Sequence, residues 1–377
     1  MAGCGGLVVY VTSHGFGHLN RSVAVLNRIP AAVPVTIRSD PNLFAHWHER
    51  LRRPAVLEAH VSDAGAVNPL GDSALTDGAA TLELAARVHA EAMSRIDEEV
   101  SRLMDGKAAA VLCDAPPVPL VAARRAGVPG FLLANFTWAD IYAPHARKIG
   151  GGALGLVTEL RRAYRQATAV FRAEPALALA DFPRDKIIEV GMVVTPGRAR
   201  RAELRQELGL GPSAKVVYFY VGRYGQFDLG WDRLEALGKA GIHFVGFHPA
   251  PVGPLANLHI VPAEAWTGAD LAASTDAIVA KAGYGTACEA MVAGTPMIYP
   301  PRTGFAEHRA LDRALRAWGG GLPASSRAFA AFRLESLLDR AFSLRPGPPP
   351  FPADGAARIA ERLTETCLSS PPRGVMG

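Results

Sequence analysis

The chain has 377 residues, a length for two domains or one large one, and 49% of them are apolar, so cores of ordinary size can form. Its net charge of +5 is mildly basic and arginine-led, a composition that a high-GC genome produces as readily as an anionic partner selects. Cys4, Cys113, Cys288 and Cys367 stand apart without CxxC pairing, which argues against a zinc site or a disulfide framework and for a reduced, cytoplasmic compartment.

Residues 6–12 are a continuous apolar run with β-branched side chains, the pattern of a strand buried in a parallel sheet. The run is too short for a signal or membrane helix and no charged region precedes it, so a soluble protein without an integral membrane segment is expected. His14-Gly-Phe-Gly-His18 reads as the turn after that strand, and residues 20–28 have helical spacing. Residues 33–38 form a second strand and 83–104 one long amphipathic helix. Residues 109–113 are a strand ending at Asp114, 119–126 a helix, and 130–135 another strand. Alternating strands and helices imply right-handed βαβ units in a doubly wound sheet. After a short strand at 186–192 and a Pro/Gly/Arg linker at 195–202, the pattern restarts, with strands at 215–222, 243–247, 258–261, 276–280 and 296–299. Residues 344–352 are proline-rich, and 353–367 are patterned as a final amphipathic helix. The expected architecture is α/β: two Rossmann-like doubly wound parallel-sheet domains, 1–194 and 195–350, with a tail, 351–377, packing back on the first. Ligands of open α/β sheets bind beyond the carboxyl ends of the strands. Two such halves are expected to face each other across a cleft.

The segment Lys281-Ala-Gly-Tyr-Gly-Thr-Ala-Cys-Glu289 carries the most chemistry. It lies between an apolar strand and a helix that a Gly-Thr-Pro stop ends. Gly283 and Gly285 let backbone approach a ligand, and the N–H groups of Tyr284 to Thr286 with the helix dipole suit a phosphate. Lys281 adds a cation, and Glu289 can accept from paired sugar hydroxyls. A phosphate site beside a hydroxyl-binding carboxylate describes a sugar nucleotide. Gly222 and Arg223 follow the first strand of this half and either grip a diphosphate or form a plain turn. A base would stack on Trp266 or on neighbouring backbone. Glu307 and His308, after a proline-rich strand end, are placed to bind hydroxyls of the sugar.

In the first half, His18 stands near a helix start, where it either serves as a base near neutral pH or merely caps and packs. His14, Phe16 and Gly17 complete its turn. A dinucleotide loop lacks its third glycine here, and Asp40 is the nearest candidate for the ribose carboxylate. Asp114 ends a strand beside the first one; it either orients an imidazole or starts an Asp-Ala-Pro-Pro turn. Asn135 to Trp138 offer an acceptor wall or simple aromatic packing. His46-Trp-His48-Glu49 and the Arg161, Arg162, Arg165 cluster read as solvated helix faces, so neither a metal site nor a nucleic-acid surface is expected.

Together these segments resemble the GT-B glycosyltransferases. Lys281-Ala-Gly-Tyr-Gly-Thr286, Glu289-Ala290 and Gly294-Thr-Pro296 match the donor signature of the UDP-sugar transferases. There His-Cys-Gly-x-Asn/Gly-Ser/Thr, Glu-Ala and Gly-Val-Pro precede an Asp-Gln pair. Lys281 replaces the histidine, and Glu307-His308 stand near the Asp-Gln position. The Lys-Ala-Gly-Tyr-Gly-Thr form and Gly15-Phe-Gly-His18 look specifically like the glycosyltransferase-like domain of plant L-arabinokinase and its bacterial relatives, without the kinase half. The first turn is also similar to the GGxGGH loop of the peptidoglycan N-acetylglucosaminyltransferase. The resemblance implies that His18 is the base and Asp114 its partner. It further implies inverting, metal-independent transfer from a nucleotide-diphosphate sugar, UDP foremost, to a small-molecule acceptor, with no further cofactor. Homodimer formation is left open. Two other functions stay open: a sugar-nucleotide 2-epimerase, which needs additional acid/base carboxylates, and a non-catalytic sugar-nucleotide-binding module.

Overall fold

The computed structural model describes residues 5–69, 75–221 and 229–369. Its first sheet comprises β1 (Gly6–Val11), β2 (Val35–Ser39), β3 (Val56–Ala59), β4 (Ala108–Asp114), β5 (Gly130–Ala134), β6 (Ala169–Ala173) and β7 (Ile187–Gly191). They run parallel in the order β3-β2-β1-β4-β5-β6-β7. The second sheet comprises β8 (Lys215–Tyr220), β9 (Ile242–Gly246), β10 (Leu258–Ile260), β11 (Ala277–Ala280), β12 (Met297–Tyr299) and β13 (Gly321–Pro323). These are also parallel, ordered β10-β9-β8-β11-β12-β13. In each sheet the order reverses beside the first strand, between β1 and β4 and between β8 and β11. Such reversals open a crevice at the carboxyl ends, where a ligand can enter between diverging connections. The central strands are apolar because helices cover both faces: every residue of β4 and of β11 is buried.

The chain divides into two compact units. The first contains residues 1–67, 77–194 and 351–377; the second contains 68–76 and 195–350. The final helix, Gly355–Ser369, belongs to the first unit and packs against the helix Phe16–Leu26 and strands β4, β7 and β1. Its apolar stripe, Ala356, Ile359, Ala360, Leu363 and Cys367, is fully buried, at the i, i+3, i+4, i+7 spacing of an amphipathic helix. Gly355 cannot carry a side chain there, since a Cβ would lie 2.6 Å from the Met192 carbonyl oxygen. In the second unit, Phe219 packs edge-on against Phe244 and Phe332 at 6.2 and 5.9 Å between ring centres, filling the space under the sheet.

Several elements depart from the sequence pattern. The expected single helix over 83–104 is two, Gly78–Ser94 and Ile96–Asp105, broken at Arg95. Asp77 caps the first of them through Ala80 N–H at 3.0 Å, six residues before the expected start. The expected linker at 195–202 is bound structure within the second unit. Asp270 Oδ1 accepts from Arg198 N–H at 2.7 Å and Ser274 Oγ from Arg200 N–H at 2.9 Å, and a helix begins at Arg201. Strands β3, β6 and β13 were not distinguished by the apolar pattern. Among the described residues no helix is long and apolar enough to cross a membrane.

Because Leu363 is wholly buried, Leu363→Ala should destabilise the first unit by about 2–5 kcal/mol, read as a lowered urea midpoint. An unchanged midpoint would mean that the final helix is not part of that core.

Candidate active site

In the first unit the chemistry gathers where β1 and β4 lie side by side. Their register pairs Val11 with Asp114, and Thr12 N–H donates to the Asp114 carbonyl at 3.2 Å. The turn after Thr12 passes through Gly15, whose φ of +80° suits glycine, and leads into the helix Phe16–Leu26. On that helix His18, Arg21 and Ser22 fall at i, i+3 and i+4, so they share one face. All three reach the Asp114 carboxylate. His18 Nδ1 is 2.7 Å from Oδ1, Arg21 Nε donates to Oδ2 at 2.9 Å and Ser22 Oγ donates to Oδ2 at 2.8 Å. Burial by itself would raise the Asp114 carboxyl, but the Arg21 guanidinium and His18 outweigh it and hold it at about 2. The ionised carboxylate can only accept, so the nearby imidazole nitrogen Nδ1 carries the proton and Nε2 is the basic nitrogen. Just after Asp114, Ala115 sits at φ +81°, a strained value for a residue with a side chain, and its carbonyl accepts from Tyr164 Oη at 2.7 Å.

Phe136 stands edge-on to His18, Trp138 to Phe136, and His14 to Trp138, at 5.7, 5.3 and 5.2 Å between ring centres. Phe16 meets His46 edge-on at 4.3 Å. His14, Phe16 and Gly17 are partly exposed, and a Cβ added at Gly17 would meet nothing within 4 Å. Asn135 and Trp138 differ from the expectation of an acceptor wall. Asn135 is fully buried and its side-chain oxygen accepts from Arg21 Nη1 at 2.6 Å. Trp138 is also buried, with its indole N–H donating to Asp63 Oδ2 at 2.5 Å and its ring stacked on Tyr142. Both are tied to the residues around His18 and Asp63 by these bonds.

In the second unit, Lys281 follows β11 and the helix Tyr284–Ala293 starts without a side-chain cap at Gly283. Tyr284, Gly285 and Thr286 form its first turn. A Cβ at Gly283 would meet nothing within 4 Å. Burial, and then the Arg302 guanidinium, lower the Lys281 ammonium to about 8, with Glu307 pulling the other way. Arg302 and Glu307 come from the loop after β12 and His308 starts the helix His308–Trp318 that follows it; β12 is the parallel neighbour of β11, so both connections leave the sheet at one edge. Glu307 is buried and its Oε2 accepts from Arg302 Nη1 at 3.2 Å. His308 stands edge-on to Tyr299, and burial lowers its pKa. Glu289 lies toward Gly268, where an added Cβ would be 3.4 Å from its Oε2 and 3.0 Å from the Tyr218 hydroxyl. Trp266 corrects the expectation of a base platform. It is fully buried, its indole N–H donates to Glu207 at 2.8 Å, and the Arg200 guanidinium covers its ring at 4.0 Å. Gly222 and Arg223 lie outside the described residues. Among the described residues no group of three His, Cys, Asp or Glu is arranged to hold a metal ion.

No family model matches the chain. A UDP-glucosyltransferase from Polygonum tinctorium superposes with a TM-score of 0.62, at 14% identity, over 98% of this chain and all of that one. Phytolacca americana UGT2, solved with UDP-2-fluoro-glucose and pterostilbene, gives 0.61 at 16% identity, over 97% and 94% of the two chains. The spinosyn rhamnosyltransferase SpnG gives 0.62 at 17% identity, over 97% and 96%. The chain has the GT-B fold of these glycosyltransferases. Arabidopsis thaliana L-arabinokinase is similar in sequence, 29% identical over 343 residues, which are 89% of this chain. The chain spans 32% of the length of that curated relative.

Within this GT-B chain, four residues of the site went unassigned in the sequence. Arg21 and Ser22 had a legible signal, their spacing from His18. Arg302 had none beyond its loop. Asp63 sits in an irregular Ser-Asp-Ala-Gly stretch that resembles any other loop. In the structure its carboxyl is buried, and burial, offset only in part by hydrogen bonds from Trp138 and Thr12, raises it to about 7, with Asp114's charge adding to the shift.

The sign of that shift is testable. An acid whose folded pKa is raised stabilises the fold fully below its unfolded value, near 3.8, and loses that contribution as pH rises through about 7. Asp114, held low, acts oppositely: its contribution is lost as pH falls from about 4 towards 2. Asp63→Asn should therefore flatten the decline of the urea midpoint between pH 4 and 8 relative to the unsubstituted chain. Parallel profiles would show that Asp63 does not titrate in that window.

Proposed function

We propose that the chain is an inverting, metal-independent glycosyltransferase that moves a sugar from a nucleoside diphosphate, UDP foremost, to a hydroxyl or amine of a small-molecule acceptor. The observation that carries this reading is the buried His18–Asp114 pair at 2.7 Å, a base with its orienting carboxylate. The nucleotide-sugar part draws support from solved relatives of the same fold that hold UDP-2-fluoro-glucose or thymidine diphosphate, and from the similarity to an enzyme named for a sugar. The acceptor's lone pair forms the bond to the anomeric carbon as the bond to the phosphate oxygen breaks, and that electron pair leaves with the diphosphate. His18 Nε2 takes the acceptor's proton, and Asp114 balances the imidazolium. Lys281 and the N–H groups of Tyr284 to Thr286 stabilise the departing charge, the kind of preorganised electrostatic aid that dominates many such steps. Glu307 and His308 hold sugar hydroxyls, and Glu289 the ribose.

One observation favours a second reading, a sugar-nucleotide 2-epimerase. Asp63 is an additional buried carboxyl near neutrality, electrostatically coupled to Asp114. That enzyme would convert the donor with no acceptor present, whereas a transferase would not.

Thermal-shift screening with UDP, TDP, GDP and their hexose derivatives tests the donor half. A ligand at ~100 times its Kd should stabilise the chain by about 2.7 kcal/mol, and no shift with any nucleoside diphosphate would sink the proposal. With an acceptor in hand, His18→Ala should lower turnover by ~10²–10⁴-fold at unchanged UDP affinity. Turnover within a few-fold of the parent would remove His18 from the role of base.

A further inference from the structure

The loop that follows β12 holds a charge that the donor reading does not use. Arg302 has a side chain only 8% exposed, with its guanidinium 4.0 Å above the Phe305 ring and Nη1 donating to Glu307 Oε2 at 3.2 Å. Ring and carboxylate together fix the plane of the guanidinium, so the direction of its remaining N–H bonds is set before any ligand arrives. Among the described residues its buried Nε–H has no acceptor. A buried donor on a cation left unpaired costs free energy, and a ligand oxygen placed there recovers it. Its surroundings say what kind of ligand. Arg302 and Glu307 both act electrostatically on Lys281, so they belong to the neighbourhood of the donor loop. The guanidinium and the carboxylate are ion-paired at 3.2 Å. That pair offers a donor beside an acceptor, which complements two adjacent hydroxyls of a sugar, one accepting from Nε–H and one donating to Glu307.

We propose that Arg302 is a specificity-determining residue for the sugar end of the donor, contacting a sugar oxygen through Nε–H while its Nη1 positions Glu307. The inference rests on the nucleotide-sugar reading above and deepens it: the transferred group is a hexose with adjacent hydroxyls.

Titration calorimetry of the full chain with UDP, UDP-glucose and UDP-galactose tests it. At least one UDP-hexose should bind about tenfold more tightly than UDP, the scale of one charge-assisted hydrogen bond. Arg302→Lys keeps a cation beside Glu307 but removes the Nε–H. It should abolish the hexose advantage while UDP affinity stays within about twofold. R302M/E307Q, which leaves no unpaired charge buried, should do the same. The inference is overturned if neither UDP-hexose exceeds UDP, if R302K keeps the advantage, or if R302K and R302M/E307Q weaken UDP and UDP-hexose alike, since Arg302 would then serve the diphosphate or the fold. Failure of the parent chain to bind UDP at all is a different result, which removes the donor reading itself.

Discussion

The first unit depends on one buried anion. Asp114 has no exposed surface, yet its carboxylate is ionised because a guanidinium, an imidazole and a hydroxyl converge on it. Such a charge survives away from water only when it is paired and hydrogen-bonded, and removing a partner strands what remains. Each partner comes from one helix face, so the requirement fixes the rotation of the helix Phe16–Leu26 about its own axis. Because β1 feeds that helix and pairs with β4, the same requirement fixes the turn from His14 to Gly17. The positive φ at Ala115 fits this picture: a strained backbone persists where its neighbours over-determine it, and the Tyr164 bond to the Ala115 carbonyl is one such neighbour.

The second unit is arranged on the opposite principle. Lys281 is a poorly solvated cation beside another cation, which lowers its pKa, and the helix that follows it starts without a side-chain cap. Glu307 offsets these two cations only in part, so Lys281 stays lowered. The first unit surrounds one anion with three partners, whereas the second gathers two cations about one carboxylate.

The fold was legible where burial is two-sided. β1, β4, β5, β8 and β11 are largely apolar runs, the composition that a strand covered on both faces requires. Strands β3, β6 and β13 were not: β3 is Val-Leu-Glu-Ala with exposed ends, β6 carries an arginine in five residues, and β13 is three residues paired with β12 at the sheet's edge. The break at Arg95 escaped the pattern because both helices keep charged outer faces across it. Among the site residues, those on glycine turns announced themselves, since glycine marks backbone geometry. Residues such as Asp63 and Arg302 became visible only when long-range packing removed their water, and Trp266 changed from a platform to a core side chain for the same reason.

Asp63 and Asp114 show how far that packing alters chemistry that composition treats as equal. Both are aspartates near the carboxyl edge of one sheet, and Asp63 feels the charge of Asp114. One receives a guanidinium and an imidazole and is pulled down to about 2; the other receives an indole N–H and a hydroxyl, neither charged, and rises to about 7. Neutral donors cannot repay the loss of hydration that a full counter-charge repays. The consequence is a division of labour set by environment alone, one carboxylate permanently ionised beside the imidazole and one able to hold or release a proton near neutral pH.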